Sequence, residues 1–365
     1  MKKVLLVATV QSHICQFHKP LVKILHEQGA EVHVAAKDNL AEKNGLKLDF
    51  AEKVFDVPFS RSIKSIDNLK ALKVLKKIIA EEHYDLIQCN TTMGGIITRM
   101  AAKKARKKGT KVVYMAHGFH FYQGASKKAW MVFYPIEKHF AKKCDTLITI
   151  TKEDYELASK KFKTNVVHMH GVGVLEERYH VVDATTCQEM RANENLTDKD
   201  FVVLCTGELN KNKNQKTLLQ AAARLKDQIP NLKILFAGNG PLQAELEKQV
   251  EESGLKENVC FLGYRTDLEK IVPATDLVVS CSYREGLPLN IIEAMLCKKP
   301  IVASVNRGHK ELIKDGENGY LFAPNDWQTL AEKMLAVYND DQREKMGEIS
   351  YSIAQKYTAV AVERK

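Results

Sequence analysis

Apolar residues arrive along this chain in short runs separated by longer stretches with helical spacing. Runs over 4–8, 31–36, 53–57, 86–89, 111–116 and 146–150 are rich in Val, Ile, Leu and Ala and read as strands. Between them, 17–28, 66–82, 94–107, 127–142 and 152–160 carry apolar residues three and four apart, the period of an amphipathic helix. Near-continuous apolarity, rather than alternation, marks strands buried on both faces, and therefore a parallel sheet covered by helices. The pattern lapses over 172–200, which is polar and reads as an irregular connection. It resumes with strands over 201–206, 233–237, 259–262, 277–281, 301–303 and 319–322 and with helices that include 217–228, 326–338 and 341–356. The expected fold is α/β, with two Rossmann-like doubly wound parallel-sheet domains over 1–180 and 181–345. A last segment, 346–365, is expected to cross back to the first domain. Ligands of such sheets sit outside the carboxyl ends of the strands, so the expected site is a cleft between the two domains.

Composition narrows the class. A chain of 365 residues exceeds one ordinary core, and 45% hydrophobic with 27% charged residues is the composition of a soluble globular protein. No apolar run approaches the ~20 residues needed to span a bilayer. The opening Met-Lys-Lys-Val-Leu-Leu-Val-Ala is expected to be a buried strand and not a signal peptide, because it meets Gln11, Ser12 and His13 without a small-residue cleavage site. Eight cysteines without a C-x-x-C pair predict buried, reduced thiols in a cytoplasmic protein, with no disulfide or zinc framework.

Charge is uneven. Residues 1–180 hold 31 Lys and Arg against 18 Asp and Glu, a net of +13; residues 181–365 hold 24 against 27, a net of −3. The first half is therefore expected to face something anionic, either a membrane surface, a lipid diphosphate or nucleic acid. The helix over 66–82 places Lys70, Lys73, Lys76 and Lys77 against Leu72, Val74, Leu75, Ile78 and Ile79; the apolar side reads as core and the basic side suits anionic lipid heads. The run Lys103, Lys104, Arg106, Lys107 and Lys108 reads as solvated cations complementing a helix C-terminus. No RNP-like aromatic motif or helix-turn-helix signature is present, so nucleic acid is not an expected partner.

The most informative segment is Tyr283-Arg-Glu-Gly-Leu-Pro-Leu-Asn-Ile-Ile-Glu-Ala294. It follows a predicted strand, turns at Gly286 and Pro288, and enters a helix at Leu289 and Asn290, beyond Leu287. A helix start offers unpaired N–H groups and the positive end of a dipole, which suits a phosphate. Glu285 would lie in the turn, and Glu293 inside the helix, both able to accept hydrogen bonds from hydroxyls. An anion site flanked by two such carboxylates fits a nucleotide-sugar. His117 follows the strand over 111–116 and His13 follows the first strand, so both are candidates at carboxyl ends, with Gly118 and His120 beside them; His120 and Phe119 read equally as packing.

The second half resembles the nucleotide-binding domain of the family 4 glycosyltransferases, retaining enzymes of the GT-B fold. Five segments carry the resemblance in family order: Gly207-Glu-Leu-Asn-Lys-Asn-Lys213, Gly238-Asn-Gly240-Pro, Val259-Cys-Phe-Leu-Gly263, the Glu285 to Glu293 segment, and Gly316-Glu-Asn-Gly319-Tyr-Leu. His117-Gly118 resembles the family's acceptor-domain histidine. Two positions depart from the pattern. Glu208 stands where the family usually has Arg, and as a carboxylate beside a diphosphate it is expected to point away. Thr9-Val-Gln-Ser-His13 stands where a Gly-Gly loop is usual.

The resemblance implies metal-independent, retaining transfer from a nucleotide-sugar, with UDP as the expected nucleotide. Glu285, His117 and Lys213 are the expected catalytic groups. Gly207, Lys213, Gly238, Gly263, Tyr264, Arg265, Gly286, Leu287, Pro288, Leu289, Asn290 and Glu293 are expected at the donor, with Glu285 on sugar hydroxyls, Glu293 on the ribose and the backbone of 263–265 at the base. His13, Gly118 and His120 are expected on the acceptor side. No metal or other cofactor is expected. The expected acceptor is a polyprenyl-diphosphate-linked saccharide, met at the inner face of a cell membrane during capsule or exopolysaccharide assembly. A GT-B sugar-nucleotide epimerase and a noncatalytic nucleotide-sugar-binding protein are the alternatives.

Overall fold

A computed structural model describes residues 2–42 and 46–363. They divide into two compact units, 1–173 with 359–365, and 174–358. Of the tail read from sequence, Arg364 and Lys365 lie outside the described residues.

The first unit holds seven parallel strands: β1 (Lys3–Val10), β2 (Glu31–Lys37), β3 (Lys53–Asp56), β4 (Leu86–Asn90), β5 (Lys111–Ala116), β6 (Thr146–Thr149) and β7 (Asn165–His168). Their order is β3-β2-β1-β4-β5-β6-β7. The chain winds outward from β1 to β3, then returns to lay β4 on the other side of β1. The turns after β1 and β4 therefore diverge, which opens a crevice at their carboxyl ends. Strand β1 shows why its residues are apolar throughout: Leu5 and Val7 feed one core, and Val4, Leu6 and Ala8 feed a second on the opposite face.

Helical boundaries differ from the sequence reading where backbone chemistry intervenes. The helix expected over 17–28 is two, Gln11–Phe17 and Lys19–Glu27. Pro20, at the start of the second, has no N–H to continue the first. The helix Thr92–Ala101 packs close to the sheet because Gly94 and Gly95 lack side chains. A Cβ at Gly94 would stand 2.8 Å from Thr91 Oγ1, and one at Gly95 2.5 Å from the Tyr114 ring. The stretch 172–200, expected to be irregular, contains the helix Ala184–Asn193. Asp183 caps it, accepting from the Thr186 N–H at 2.8 Å, but its side chains make no apolar stripe that periodicity could register. Strand β7 also lay outside the sequence reading.

The second unit holds six parallel strands: β8 (Phe201–Thr206), β9 (Leu232–Ala237), β10 (Val259–Gly263), β11 (Leu277–Ser280), β12 (Ile301–Ser304) and β13 (Gly319–Phe322), in the order β10-β9-β8-β11-β12-β13. Its switch point lies between β8 and β11. The closing helix Ala359–Glu363 belongs to the first unit, where Ala359 Cα would stand 2.6 Å from a Cβ at Gly173. Cysteines are free, and those at 15, 89, 144, 205, 281 and 297 are buried; Cys260 is exposed, against the expectation of burial.

Under the first sheet, Arg99 and Glu137 form a fully enclosed ion pair at 3.1 Å, with Arg99 also stacked over the Tyr114 ring at 3.9 Å. Removing one partner of such a pair leaves a buried charge. Glu137→Leu is expected to destabilise the first unit by about 3–5 kcal/mol in denaturant titration, and Arg99→Met added to it should restore much of that loss. A single Glu137→Leu without measurable cost would mean the pair is not structural.

Candidate active site

In the second unit, the turns after β8, β9, β11 and β12 converge at the carboxyl edge. Three glycines allow this. Gly207 has φ +131°, and Gly238 has φ +153° with a would-be Cβ only 2.0 Å from the Gly207 carbonyl oxygen. A Cβ at Gly308 would stand 2.2 Å from the Gly286 carbonyl oxygen. The loop after β8 is stapled to the loop after β11: the Tyr283 N–H donates to the Asn212 carbonyl at 2.8 Å, and Asn212 Nδ2 donates to the Arg284 carbonyl at 3.0 Å. That brings Lys213 Nζ to 2.7 Å from Glu285 Oε1. Burial pushes the Glu285 carboxyl up, but the Lys213 ammonium outweighs it and holds the group below its ordinary value.

The helix Leu289–Leu296 begins after Pro288, beyond the buried Leu287, and Asn290 Nδ2 donates to Thr206 Oγ1 at 2.9 Å, tying that helix to β8. Glu293 lies one turn in. Burial raises its carboxyl to about 7, against the pull of Arg178 and Tyr179. Glu285 and Glu293 therefore differ in charge near neutrality, which sequence spacing could not reveal. Arg265 has both faces of its guanidinium engaged, by Glu194 at 2.8 and 3.1 Å and by Asp267 at 2.8 and 3.0 Å. Its side chain braces the turn with Tyr264 that follows Gly263 (φ +66°). Glu208 is exposed and its Oε2 accepts from Asn210 Nδ2 at 3.0 Å. The chain's Asp-x-Asp spelling, Asp198-Lys199-Asp200, is a turn: Asp200 Oδ2 accepts from the Thr197 N–H at 2.6 Å and Asp198 Oδ2 from Gln188 at 2.9 Å.

Sequence reasoning missed His309. Its Nδ1 lies 2.6 Å from the Ser304 carbonyl, which assigns the proton to that nitrogen, and Nε2 is buried beside Glu285 without a hydrogen bond. Burial lowers its pKa to about 4, so it is neutral. The available signal was position: it sits in the short helix Arg307–Leu312 that follows β12, as Glu285 sits in the loop that follows β11. Arg178 and Tyr179, beside Glu293, were also missed because they lie in the stretch read as a connection.

In the first unit, the residues after β1, β4 and β5 meet. His13 Nε2 and His117 Nε2 are 3.4 Å apart, and Asn90 Oδ1 is 3.3 Å from the same His117 nitrogen. His18, 1% exposed and absent from the sequence reading, completes the group. Burial lowers all three histidines, His18 to about 4 and His117 to about 3, so they are neutral near pH 7. Thr91 holds φ +62° with ψ 159°, a backbone region that residues other than glycine avoid. Its hydroxyl is 2.5 Å from the Asn90 carbonyl and 2.6 Å from Thr9 Oγ1, and these bonds fix the strained turn. A cavity of about 330 Å³ opens here, lined by Thr9, His13, Arg61, Thr92 and His120 among others. His120 stacks on Phe133 at 4.4 Å and reaches Thr92 Oγ1 at 3.4 Å, so it both packs and faces the cavity. Gly118 has φ +112°, which releases the chain from β5 toward that cavity.

Comparison with known proteins places this geometry. Residues 187–353 match the glycosyl transferases group 1 family and residues 3–151 the glycosyl transferase 4-like family. The chain is 38% identical over 360 residues, 98% of its length and 93% of the relative's, to EpsD of Bacillus subtilis (strain 168), whose name offers a glycosyltransferase activity without establishing it. It is 30% identical over 302 residues, 80% of its length and 76% of the relative's, to the UDP-Gal:alpha-D-GlcNAc-diphosphoundecaprenol alpha-1,3-galactosyltransferase of Escherichia coli. Among solved structures, Anabaena HepE in complex with UDP and glucose superimposes with a TM-score of 0.80 at 22% identity, covering 100% of this chain and 98% of that one. Sucrose-phosphate synthase from Thermosynechococcus elongatus gives a TM-score of 0.80 at 20% identity, over 99% and 96%. The two sheets are those of the GT-B fold, and the chain belongs to the family 4 glycosyltransferases.

Proposed function

We propose that this glycosyltransferase moves a hexosyl group from a UDP-sugar to a polyprenyl-diphosphate-linked saccharide, with retention at the anomeric carbon and without a metal ion, during cell-surface polysaccharide assembly. The observation that carries the reading is the Lys213–Glu285 pair at the carboxyl edge of the second sheet. When the sugar C1–O bond breaks, the electron pair passes to the diphosphate oxygen while the acceptor oxygen bonds C1 and gives up its proton to that departing oxygen. Lys213 supplies a fixed cation for that diphosphate, as preorganised electrostatic sites require. Glu285, held ionised, accepts from the sugar hydroxyls. Glu293 accepts from the ribose, and the 263–265 backbone meets the base. The cation assigned to the diphosphate in this reading is the Lys213 ammonium, fixed by its ion pair. His117 and the cavity beside His13 and His120 would receive the transferred sugar and its acceptor. The Escherichia coli relative, named for a diphosphoundecaprenol-linked acceptor, supports that class.

The membrane reading rests on the helix Asp67–Glu82. Its buried face is Ala71, Leu75, Ile78 and Ile79, while Val74, expected in the core, is 37% exposed. Lys70, Lys73, Lys76 and Lys77 are exposed, and Ile63, Ile66 and Leu69 stand out beside them at 48%, 70% and 63% exposure. Cations beside projecting apolar side chains suit an anionic lipid interface at which the protein would sit peripherally. Among the described residues, no helix is long and apolar enough to cross a membrane.

Lys213→Ala is expected to lower kcat by about 10²–10³, the range for one preorganised donor, while EDTA leaves the wild-type rate unchanged; a rate that collapses in EDTA and returns with Mn²⁺ would overturn the charge assignment. Glu293→Ala should weaken UDP binding by about 1.5–3 kcal/mol in calorimetry. Because the Glu293 carboxyl is raised to about 7, wild-type UDP affinity should climb as pH rises through 7 and the acceptor ionises. Glu293→Gln should lose that climb, and an identical pH profile in the two proteins would remove Glu293 from the ribose. Reversing Lys70, Lys73, Lys76 and Lys77 to Glu should weaken binding to anionic vesicles by about 1 kcal/mol per charge at low salt and leave UDP affinity untouched. Equal partitioning of the wild type onto neutral and anionic vesicles would refute the membrane role.

A further inference from the structure

The first unit carries a ligand set that the transfer reaction does not require. One ring nitrogen from each of His13, His18 and His117 lies within 4.8 Å of the others, the one such grouping among the described residues. Three features separate it from ordinary histidine packing. His18 is 1% exposed, yet both its ring nitrogens are buried without a hydrogen bond. Asn90 and the His13 backbone lie close enough to influence it, but neither reaches hydrogen-bond geometry with its ring. A buried polar atom without a partner costs on the order of 1–3 kcal/mol, so something is expected to satisfy it. The second feature is spacing. Zn–N bonds of about 2.0–2.1 Å put neighbouring nitrogens of a tetrahedral site about 3.3–3.4 Å apart. His13 Nε2 and His117 Nε2 stand at 3.4 Å, and Asn90 Oδ1 at 3.3 Å from the latter. The third is fixation: Asn90 Nδ2 donates to the Val7 carbonyl at 3.2 Å, which turns Oδ1 toward His117.

We propose that His13, His18 and His117, with Asn90 Oδ1 or a water from the adjoining cavity in the fourth position, form a binding site for a borderline divalent metal ion, of which Zn²⁺ is the fitting example. Imidazole nitrogens select such ions over Mg²⁺ or Ca²⁺, which prefer oxygen. Binding moves the His117 proton to Nδ1 and closes the set from 4.8 Å by small side-chain rotations. The ion is not a cofactor for transfer: occupying His117, it would withhold that residue from the substrate and so inhibit, a consequence that rests on the proposed function while the site itself does not.

The test is a Zn²⁺ titration of full-length, EDTA-stripped protein in competition with a chromophoric chelator, with Mg²⁺ as the contrast and UDP binding and circular dichroism as controls of folding. One equivalent of Zn²⁺ should bind, Mg²⁺ should not compete, and Co²⁺ in its place should give the intense visible bands of a tetrahedral ion. His18→Ala should weaken Zn²⁺ by at least about 100-fold, since changes outside the ligand set alone cost 10–100-fold. Should His18→Ala fail to fold, His13→Gln, at a half-buried ring, gives the same readout. No stoichiometric Zn²⁺ in the wild type, or an equivalent that survives His13→Gln, overturns the site; the eight cysteines are unchanged in both variants, so thiol-bound Zn²⁺ would survive and be recognised. A protein that binds Zn²⁺ but transfers no sugar would leave the site standing and sink the transferase reading instead.

Discussion

The carboxyl edge of the second sheet depends on one ion pair, Lys213 with Glu285, at 2.7 Å. Neither partner lies on a regular element that would place it unaided. Lys213 comes from the loop after β8 and Glu285 from the loop after β11, and those loops are sewn together by two hydrogen bonds, one from the Tyr283 N–H to the Asn212 carbonyl and one from the Asn212 side chain to the Arg284 carbonyl. The same demand explains the glycines. A side chain at Gly207 would press on Lys213, one at Gly238 on the Gly207 carbonyl, and one at Gly308 on the turn that carries Glu285. The pair also sets charge. Without Lys213, burial would push Glu285 toward protonation, as it does Glu293, where Arg178 and Tyr179 do not offset burial and the nearby Glu269, and the carboxyl is raised to about 7. Two glutamates one helical turn-and-a-loop apart therefore hold protons with very different strength, each because of its neighbours.

Much of this was legible in the sequence, and the reasons are specific. Apolar strand runs are long-range statements about burial on two faces, so β1, β2, β4, β5 and the second sheet could be read directly. The strand, turn and helix around Glu285 and Glu293 were legible because glycine and proline follow an apolar run and precede a helical pattern. Strand β7 was not, since Asn165–His168 is four half-polar residues at a sheet edge. The helix Ala184–Asn193 was not, because it is held by its Asp183 cap and by Arg191, which reaches Asp276 at 2.8 Å, rather than by an apolar stripe. Of the site residues, those missed share one trait: His18, Arg178, Tyr179 and His309 matter through what packs on them. His18 was further hidden because the helix Gln11–Phe17, which ends just before it, lay outside the sequence reading.

A net charge over half the chain leaves its placement open. The net charge of +13 over 1–180 is real, but it does not gather at the carboxyl edge of the first sheet. There His13, His18 and His117 are neutral near pH 7, and among the cavity-lining residues Arg61 is the one Lys or Arg. Arg99 is spent on Glu137, and Arg106 on Asp145 and the carbonyls of Lys142 and Cys144. Exposed lysines line helix faces instead, at Lys70, Lys73, Lys76 and Lys77, of which Lys70 and Lys77 pair with Asp67 and Glu81 at 3.4 and 3.8 Å, and at Lys103, Lys104 and Lys107. Exposed lysines at those positions act through the field they project over about a Debye length, 8–10 Å at physiological salt. They can attract a surface but cannot orient a single diphosphate. The exposed lysines and the strained turn at Thr91, beside Asn90 and His117, are thus separate features of the first unit: the lysines lie on helix faces, and the turn lies at the carboxyl edge of the sheet.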